Sequence, residues 1–309
     1  MKAVRIHEFG GPEVLQIEDL DRPEPQSGEV LIEILAAGVN PVDYKIRKGL
    51  YPAVKAEDLP VVLGRDAAGF VRQAGPGVKT FAEGDAIFAM LPQDRGGYAQ
   101  WTTVPASLCA PKPASLDMLQ AASVPLAALT AWQGLFDHGH LRPRQRVLIH
   151  GASGGVGPFA VQFARVCGAE VIATASSDAI DFVRDLGADQ VIDYRHQRFE
   201  DEVEAVDLVY DLIGGETEDR SWAVLKRGGT LISTVHEPTA ERAEAAGVAA
   251  SRYTCQPSGE QLREIGRLID KGAVKVFIDR VFPLEAAAEA EIHLENDHVR
   301  GKVVLSMEP

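Results

Sequence analysis

The 309-residue sequence has only three cysteines, Cys109, Cys167 and Cys255, and they lie far apart. This number and spacing exclude a disulfide framework and favour reduced thiols in a cytoplasmic protein. No run approaches the roughly 18 apolar residues of a membrane span, and the first residues lack the apolar region and cleavage site of a signal peptide. We therefore expect a cytoplasmic protein without a membrane partner.

Basic residues are also scarce, since 31 Lys and Arg stand against 45 Asp and Glu, for a net charge of −14. No basic stripe is visible, which excludes nucleic acid as the main partner. The charge does not exclude an anionic cofactor, because a few local donors can hold one. The length allows two domains, each with its own core.

The most informative stretch is RVLIHGASGGVGPFAVQFAR at 146–165. It predicts a buried strand at 147–150, a glycine-rich turn at 151–157, a helix to Cys167 that Gly168 ends, and a second strand over Glu170–Ala175. Strand, turn, helix and strand within about 30 residues are typical of the mononucleotide half of a doubly wound α/β fold.

Each glycine of the turn has its own expected role. A tight turn out of a strand suits Gly151 or Gly154. Bare backbone at Gly154 or Gly155 lets a pyrophosphate approach, and Gly157 lets the helix pack closely on the strand. The spacing is Gly-x-x-Gly-x-x-Gly and not the usual dinucleotide fingerprint Gly-x-Gly-x-x-Gly. The prediction of a dinucleotide site therefore depends on the strands and the helix that flank the turn. The alternative is a glycine-rich turn that binds nothing.

The rest of the chain divides into two patterns. Residues 1 to about 120 contain short β-branched runs between Gly and Pro turns, which predicts an irregular small β-barrel. Beyond Ala175, strands alternate with helices, which predicts a parallel sheet. Two placements of the tail after Val274 stay open: it extends that sheet, or it returns to the first domain.

Six motifs in one order make the sequence resemble the zinc-independent quinone oxidoreductase (zeta-crystallin-like) branch of the medium-chain dehydrogenase/reductase superfamily, over nearly the whole chain. These motifs are AAGVNPVD at 36–43, LGRDAAG at 63–69, GD at 84–85, AALTAW at 127–132, HGASGGVG at 150–157 and LGAD at 186–189.

The resemblance implies a doubly wound parallel-sheet (Rossmann) domain inserted into a GroES-like β-barrel catalytic domain. Residues 1–122 and 273–309 would form the GroES-like domain, and residues 123–272 the NAD(P)-binding domain, with the active site in the cleft. It also implies a homodimer made by edge strands of the nucleotide domains, and the candidate strand is 248–255.

The residues at the expected zinc positions favour a site without metal. A catalytic zinc needs a thiolate and an imidazole, with one position left open for substrate. Where the zinc-dependent branch has its cysteine, this chain has Gly38, and where it has its histidine, this chain has Arg65. A four-cysteine lobe has no counterpart between Phe88 and Gly97. We therefore expect no metal, and hydride addition to an already polarised acceptor.

The choice of cofactor depends on the ends of two strands. An NAD site usually has an acid after the second strand, which accepts from both ribose hydroxyls. This chain has Ser176 and Ser177 there. The next strand ends at Tyr194 and Arg195, and in NADPH-using relatives a tyrosine and a basic residue near here meet the adenosine phosphate. These residues favour NADPH.

Two residues argue for NADH instead. Asp178 lies only one position beyond the serines, and Ile180 replaces a lysine that is frequent in NADPH-using relatives. The serines also suit a helix N-cap, a role that is compatible with phosphate binding.

The resemblance places the nicotinamide end of the cofactor near Thr130 and at the loops that follow two further strands. The predicted cofactor-binding residues are Asn40, Thr130, Gly151, Ser153, Gly154, Gly155, Val156, Gly157, Ser176, Ser177, Tyr194, Arg195, Ile213, Gly214 and Val235.

The candidate catalytic residues are Asn40, Tyr44 and Lys45. Asn40 is expected to donate a hydrogen bond to a ribose or to a substrate carbonyl, and its alternative role is only to cap the short helix predicted over 40–49. Tyr44 and Lys45 follow on that helix. Either side chain, or water, would supply a proton, and the alternatives are a packed aromatic ring and a solvated charge.

These observations predict an NADPH-dependent oxidoreductase that transfers hydride, without zinc, to a quinone or to the β-carbon of an α,β-unsaturated carbonyl. One alternative is an enoyl-thioester or enone reductase with little quinone activity. Another is a non-catalytic NADPH-binding protein. The loops at 50–59 and 91–97 are expected to decide the substrate, because fold alone does not fix function.

Overall fold

A computed structural model describes residues 1–307 of the chain. The strands are β1 (Lys2–Ile6), β2 (Gln16–Asp19), β3 (Glu29–Val39), β4 (Val61–Val62), β5 (Asp66–Ala74), β6 (Ala86–Met90), β7 (Trp101–Pro105), β8 (Cys109–Pro111), β9 (Arg146–Ile149), β10 (Glu170–Ala175), β11 (Gln190–Asp193), β12 (Val206–Asp211), β13 (Leu225–Ser233), β14 (Ala249–Arg252), β15 (Ile278–Pro283) and β16 (Lys302–Ser306). The α-helices are α1 (Pro41–Arg47), α2 (Met118–Ala122), α3 (Pro125–Trp132), α4 (Gly157–Cys167), α5 (Ile180–Asp185), α6 (Phe199–Glu202), α7 (Glu216–Ser221), α8 (Ala240–Ala246), α9 (Gly259–Asp270) and α10 (Ala287–Asn296).

Residue contacts divide the chain into two compact units. The first unit contains Met1–Leu129, Pro257–Gly272 and the residues from Val276 onward, and the second contains Thr130–Gln256 and Ala273–Lys275. These limits differ from the predicted boundaries at 122/123 and 272/273. The largest difference is α9, where the main chain at Gly259 lies against the carbonyls of Ser107 and Cys109 and Asp270 accepts a 2.8 Å hydrogen bond from the Ser115 hydroxyl.

The first unit contains a seven-stranded sheet centred on β3, which pairs antiparallel with β5, β7 and β16. A separate three-stranded sheet has the order β2-β1-β4. The tail joins the large sheet, since β16 lies between β3 and β15. The possibility that the tail extends the parallel sheet was therefore wrong. Residues 302–305 are all buried, so this strand needs an interior position with neighbours on both sides.

The second unit contains a six-stranded parallel sheet with the order β11-β10-β9-β12-β13-β14. Counted along the chain from β9, this is the order 3-2-1-4-5-6 of the doubly wound dinucleotide fold, and the predicted fold is confirmed. The strand order reverses between β9 and β12, where such sheets bind ligands beyond the carboxyl ends of their strands. The strand predicted at 248–255 is β14, and it forms one edge of this sheet. Within residues 1–307, no helix combines the length and apolar character needed to cross a bilayer.

Candidate dinucleotide site and polar cluster

The glycine-rich loop follows β9 and has the geometry that a close ligand approach requires. Gly151 has a φ of +74°, in the left-handed region that favours glycine. A Cβ at Gly157 would lie 2.4–2.5 Å from main-chain atoms of Gly151 and Ala152, so no side chain fits there. At Gly154 a Cβ would meet only the Gly151 carbonyl oxygen, at 3.7 Å, which leaves open space above the loop. These three glycines therefore turn the chain, expose its backbone and let α4 begin close to β9.

Helix α4 begins at Gly157 with Pro158 in its first turn, and it ends at Gly168, which has a left-handed φ of +83°. The first N–H groups of an 11-residue helix have no partner within the helix and attract an anion. The residues between the glycines, Ser153, Gly155 and Val156, are partly exposed on the loop. The donors and the open backbone fit the diphosphate of a dinucleotide.

The loops after β12 and β13 meet beside this site. Asp211 Oδ1 accepts hydrogen bonds from the main-chain N–H groups of Ile213 and Gly214, each at 3.0 Å. The Ser233 hydroxyl donates to Asp211 Oδ2 at 3.2 Å and accepts from the Val235 N–H at 3.1 Å. The buried Asp211 and Ser233 were not predicted from the sequence, and they fix both loops in one place.

Ile213 connects these loops to the glycine-rich turn. Its side chain is 53% exposed, and its Cδ1 lies 3.0 Å from where a Cβ on Gly151 would be. A Cβ on Gly214 would lie 3.0 Å from Val235 Cγ1. The predicted residues that follow β9, β12 and β13 are therefore neighbours in the structure: Gly151 lies beside Ile213, and Gly214 lies beside Val235. Thr130 lies on α3, where its carbonyl accepts a hydrogen bond from Tyr210 at 3.0 Å.

A carboxylate organises the residues at the ends of β10 and β11. Asp193 Oδ2 accepts from the Ser177 hydroxyl at 2.6 Å and lies 2.8 Å from His196 Nδ1, and its Oδ1 accepts from the Arg195 main-chain N–H at 3.0 Å. The Ser177 hydrogen bond, together with His196, holds the pKa of Asp193 below its usual range, so the group stays charged. The Ser177 hydroxyl therefore donates its hydrogen to Asp193 within the protein. The predicted role of Ser177 in cofactor binding did not include this bond. Asp193 and His196 were not predicted.

The remaining predicted residues of this region lie around the same carboxylate. Ser176 is buried and follows β10 directly, while Tyr194 is 49% exposed after β11. The Arg195 guanidinium does not contact Asp193; its Nη1 lies 3.6 Å from Asp178 Oδ1, and both side chains are about half exposed. A cation, two serines and the carboxylates of Asp178 and Asp193 therefore lie together where an NAD site usually has a single acid.

His150 directly precedes the glycine-rich loop and contacts two neighbouring elements, a role that was not predicted from the sequence. It is fully buried, with Nδ1 3.0 Å from Thr174 Oγ1 and Nε2 3.0 Å from Ser221 Oγ. Burial lowers its pKa to about 4, so the ring is neutral near pH 7. The neutral ring connects the end of β9 to β10 and α7.

In the first unit, Asn40 lies in a buried polar cluster. Its amide nitrogen donates to Asp66 Oδ2 at 2.9 Å and to the Gly38 carbonyl at 3.3 Å, and its oxygen accepts from Lys302 Nζ. The cation on one side and the carboxylate on the other fix the orientation of the amide. Asp66 and Lys302 were not predicted, because Lys302 is 262 positions away in the sequence.

The other two candidate catalytic residues, Tyr44 and Lys45, have surroundings different from those of Asn40. Tyr44 lies beside Lys48, whose ammonium is 5.8 Å from the ring centre and pairs with Glu295. Burial, with Glu295 nearby, raises the pKa of Tyr44, which makes it a weaker acid. Lys45 is exposed on the same helix.

The two positions at which the resemblance would place zinc ligands, Gly38 and Arg65, are closely packed here. A Cβ on Gly38 would lie 2.6 Å from Asp66 Oδ2 and 2.7 Å from the Ala122 carbonyl oxygen, so a cysteine does not fit. Arg65 is buried and donates from Nε to the Leu91 carbonyl at 2.9 Å. Among residues 1–307, no group of three or more His, Cys, Asp or Glu side chains is arranged to hold a metal ion.

Two family models match the chain. Residues 26–114 match "Alcohol dehydrogenase GroES-like domain", and residues 186–305 match "Zinc-binding dehydrogenase". The chain is 36% identical to the NADPH-dependent alkenal/one oxidoreductase, chloroplastic, of Arabidopsis thaliana, covering 99% of this chain and 79% of that protein. It is 33% identical to the quinone oxidoreductase of Rattus norvegicus, covering 98% and 96%.

The crystal structure of Escherichia coli quinone oxidoreductase complexed with NADPH superposes with a TM-score of 0.90 at 31% identity, covering 99% of this chain and 100% of that one. The match confirms the fold that the motifs predicted, a GroES-like domain together with a Rossmann-like parallel sheet. The chain belongs to the medium-chain dehydrogenase/reductase superfamily, as an oxidoreductase of the quinone oxidoreductase-like kind.

Proposed function

We propose that the protein uses NADPH to reduce a quinone or an α,β-unsaturated carbonyl, and that it does so without zinc. The observation that carries the cofactor choice is that a cation, Arg195, and the Ser176 hydroxyl lie at the ends of β11 and β10. A 2′-phosphate needs donors and positive charge at this place, whereas the two ribose hydroxyls of NADH need an acceptor. The Arabidopsis relative is named NADPH-dependent, and the Escherichia coli structure contains NADPH, which supports the same choice.

The residues of the second unit would bind the cofactor in three parts. The loop from Gly151 to Gly157 and the start of α4 would hold the diphosphate. The region around Arg195 would hold the adenosine phosphate. The loops at Ile213, Gly214 and Val235, which Asp211 and Ser233 fix, would hold the nicotinamide end. The bound nicotinamide would supply a hydride to the substrate.

Asn40 is the proposed donor to the substrate oxygen. Its hydrogen bond to Asp66 is short, whereas the second N–H reaches the Gly38 carbonyl only at 3.3 Å. The second N–H is therefore the one that a substrate oxygen could take over. Since Lys302 and Asp66 hold the amide from both sides, the donor is preorganised for an oxygen that gains negative charge.

Zinc independence is proposed although one family model carries zinc in its description. Gly38 and Arg65 occupy the positions of a thiolate and an imidazole ligand, and Gly38 has no room for a larger side chain. A conjugated acceptor is already polarised, so donors alone suffice to stabilise the charge that develops on its oxygen.

The test is a screen of NADPH oxidation against quinones, enones and enoyl thioesters, followed by the loss of reduced-nicotinamide absorbance. We expect turnover with a quinone or an enone, a higher kcat/KM with NADPH than with NADH, and unchanged rates after dialysis against a zinc chelator. Turnover only with enoyl thioesters would replace the proposed substrate class. Nucleotide binding without turnover of any acceptor would indicate a binding protein. A stoichiometric zinc ion measured by atomic emission would overturn the metal-free mechanism.

We also propose a homodimer formed through β14, the edge strand of the parallel sheet. An unpaired strand edge presents free N–H and C=O groups that a second copy can pair with. Light scattering coupled to size-exclusion chromatography is expected to give twice the mass of 33.3 kDa. Substitution of Ala250 by proline should return the monomer mass, because proline removes a donor from the ladder.

A further inference from the structure

The residues that would meet the adenosine phosphate fall into two groups that the protein holds differently. Asp193 holds the first group firmly, through the Ser177 hydroxyl, the His196 ring and the Arg195 main chain. The guanidinium of Arg195 belongs to the second group. It extends from this network and faces Asp178, which lies on the 3₁₀ turn Ser177–Ala179 and directly follows Ser177 in the sequence.

We propose that Asp178 is a specificity-determining residue, which takes the place of the 2′-phosphate on Arg195 and thereby limits the preference of the site for NADPH over NADH. This inference rests on the proposed NADPH function and concerns the same site. The Asp178 carboxylate is negatively charged, as a phosphate is. It contacts the Arg195 guanidinium, which is the group that a phosphate would contact.

The exposure of the pair makes such an exchange feasible. The Arg195 side chain is 41% exposed and the Asp178 side chain 50%, and their closest atoms are 3.6 Å apart. An ion pair of this kind is weak, because water screens it on both sides. A phosphate dianion can bind a guanidinium with two parallel hydrogen bonds, so it displaces a single long contact.

The same carboxylate affects the two cofactors unequally. With NADPH, Asp178 remains close to the phosphate after exchange and repels it. With NADH, no phosphate is present, so the repulsion is absent and the Asp178–Arg195 pair persists. Asp178 therefore weakens NADPH binding and leaves NADH binding almost unchanged.

Asp181 provides a matched control three positions further on. Its side chain is 92% exposed, and it pairs with Arg184 at 2.6 Å. The substitutions Asp178→Asn and Asp181→Asn remove the same charge from the same region, but only the first acts on Arg195. A difference between them separates a local effect on Arg195 from the general loss of negative charge.

The experiment measures dissociation constants by isothermal titration calorimetry for NADPH, NADH and adenosine 2′,5′-bisphosphate. We expect Asp178→Asn to tighten NADPH and the bisphosphate by about 3–10-fold and to change NADH by less than about 2-fold. Asp181→Asn should change all three by less than about 2-fold. In an Arg195→Ala background, Asp178→Asn should have less than half of its effect, because the pair no longer exists.

Each other result has a definite meaning. Weaker NADH binding in Asp178→Asn, with NADPH unchanged, would make Asp178 the acid that accepts from the ribose, and would overturn the inference. Equal effects of the two substitutions would reduce the role of Asp178 to general charge and would overturn it as well. If the wild-type protein bound NADH but neither NADPH nor the bisphosphate, the proposed cofactor itself would be wrong.

Discussion

Lys302 and Asp66 form a buried ion pair, with Lys302 Nζ 3.6 Å from Asp66 Oδ2 and the Asn40 amide bonded to both. Burial raises the pKa of Asp66 and lowers the pKa of Lys302, while each charge favours the ionised form of the other. The pair connects β16, near the end of the chain, with β5. Removing one partner of a buried ion pair destabilises the fold, because the other partner then keeps a buried charge that nothing compensates.

The substitution Lys302→Met tests this pair. We expect the free energy of unfolding to fall by about 3–5 kcal/mol, because Asp66 keeps a buried charge without its partner. Adding Asp66→Asn should return part of the loss, since the amide carries no charge. Denaturant unfolding measures both variants, and Lys79→Met, at an exposed lysine, should stay within about 0.5 kcal/mol of the wild type. Equal losses in the single and the double variant would contradict the interpretation.

Asn40→Ala tests the proposed donor. The substitution removes the amide N–H groups, so kcat should fall, by about 10²-fold if the bond forms mainly in the transition state. The NADPH dissociation constant should change little. Asn296→Ala is the matched control, because it changes the other asparagine of the chain at an exposed position. A kcat that stays at the wild-type value in a folded Asn40→Ala protein would remove Asn40 from the mechanism.

Two glycines of one loop should respond differently to alanine. Gly157→Ala places a Cβ within 2.4–2.5 Å of the main chain, so we expect a loss of stability of about 1–3 kcal/mol together with weaker cofactor binding. Gly154→Ala meets only one atom at 3.7 Å, so stability should be preserved while NADPH binding weakens. Thermal unfolding and calorimetric titration distinguish the two. Wild-type NADPH affinity in Gly154→Ala would show that the diphosphate does not approach the backbone there.

Two buried carboxyl groups should make stability depend on pH. The pKa of Asp43 is raised to about 7, by burial first and then by the charge of Glu291, with Asp66 adding to it. The pKa of Glu291 is also raised to about 7, by burial, against the opposing effect of Arg47. Within residues 1–307, Asp43 Oδ1 and Glu291 Oε1 are buried atoms that have no hydrogen-bond partner. A proton bound to either carboxyl group removes a buried negative charge from a group whose oxygen has no hydrogen-bond partner.

The sign follows from the direction of these shifts. Both folded-state pKa values lie above the reference values of 3.8 and 4.5, so the folded protein binds more protons than the unfolded chain between about pH 4 and 7. The contribution of the two groups to stability is therefore largest at low pH, falls as the pH rises toward 7, and is constant above it. Each pKa unit corresponds to about 1.4 kcal/mol.

Asp43→Asn should remove part of this slope. The asparagine oxygen can still accept from the Asn40 N–H and from Tyr98, at the positions that now give 2.8 and 3.0 Å, and its NH₂ group imitates the protonated acid. Denaturant unfolding at pH 5 and pH 8 should show a smaller difference in the variant than in the wild type. Asp58→Asn, at an exposed site, should leave the difference unchanged. The same slope in Asp43→Asn and in the wild type would show that Asp43 is ionised in the folded protein throughout.

Local sequence determined the elements whose signals lie within one segment. The strand Glu170–Ala175 has the bounds that the sequence predicted, because it begins just after the helix stop at Gly168 and ends before Ser176, Ser177 and Asp178. The glycine-rich loop was also predictable, since its turn, its open backbone and its close helix packing each need a glycine at one position. Short elements without such signals, β8 and α8, were missed. Helix α3 continues into a π-helical turn over Gln133–His138, which no periodicity in the sequence indicates.

The surroundings of the candidate site were decided by tertiary structure. The sequence selected Asn40 by its motif, but only folding brings Lys302 to its oxygen and Asp66 to its nitrogen. Likewise, the serines and Arg195 were predicted from strand ends, whereas the central position of Asp193 and the pairing of Asp178 with Arg195 follow from how β10 lies beside β11. A pattern in the sequence reports geometry over a few residues, which is enough for a turn or a strand. Charge pairing and burial depend on which distant segments become neighbours, and this is set by the packing of the whole sheet.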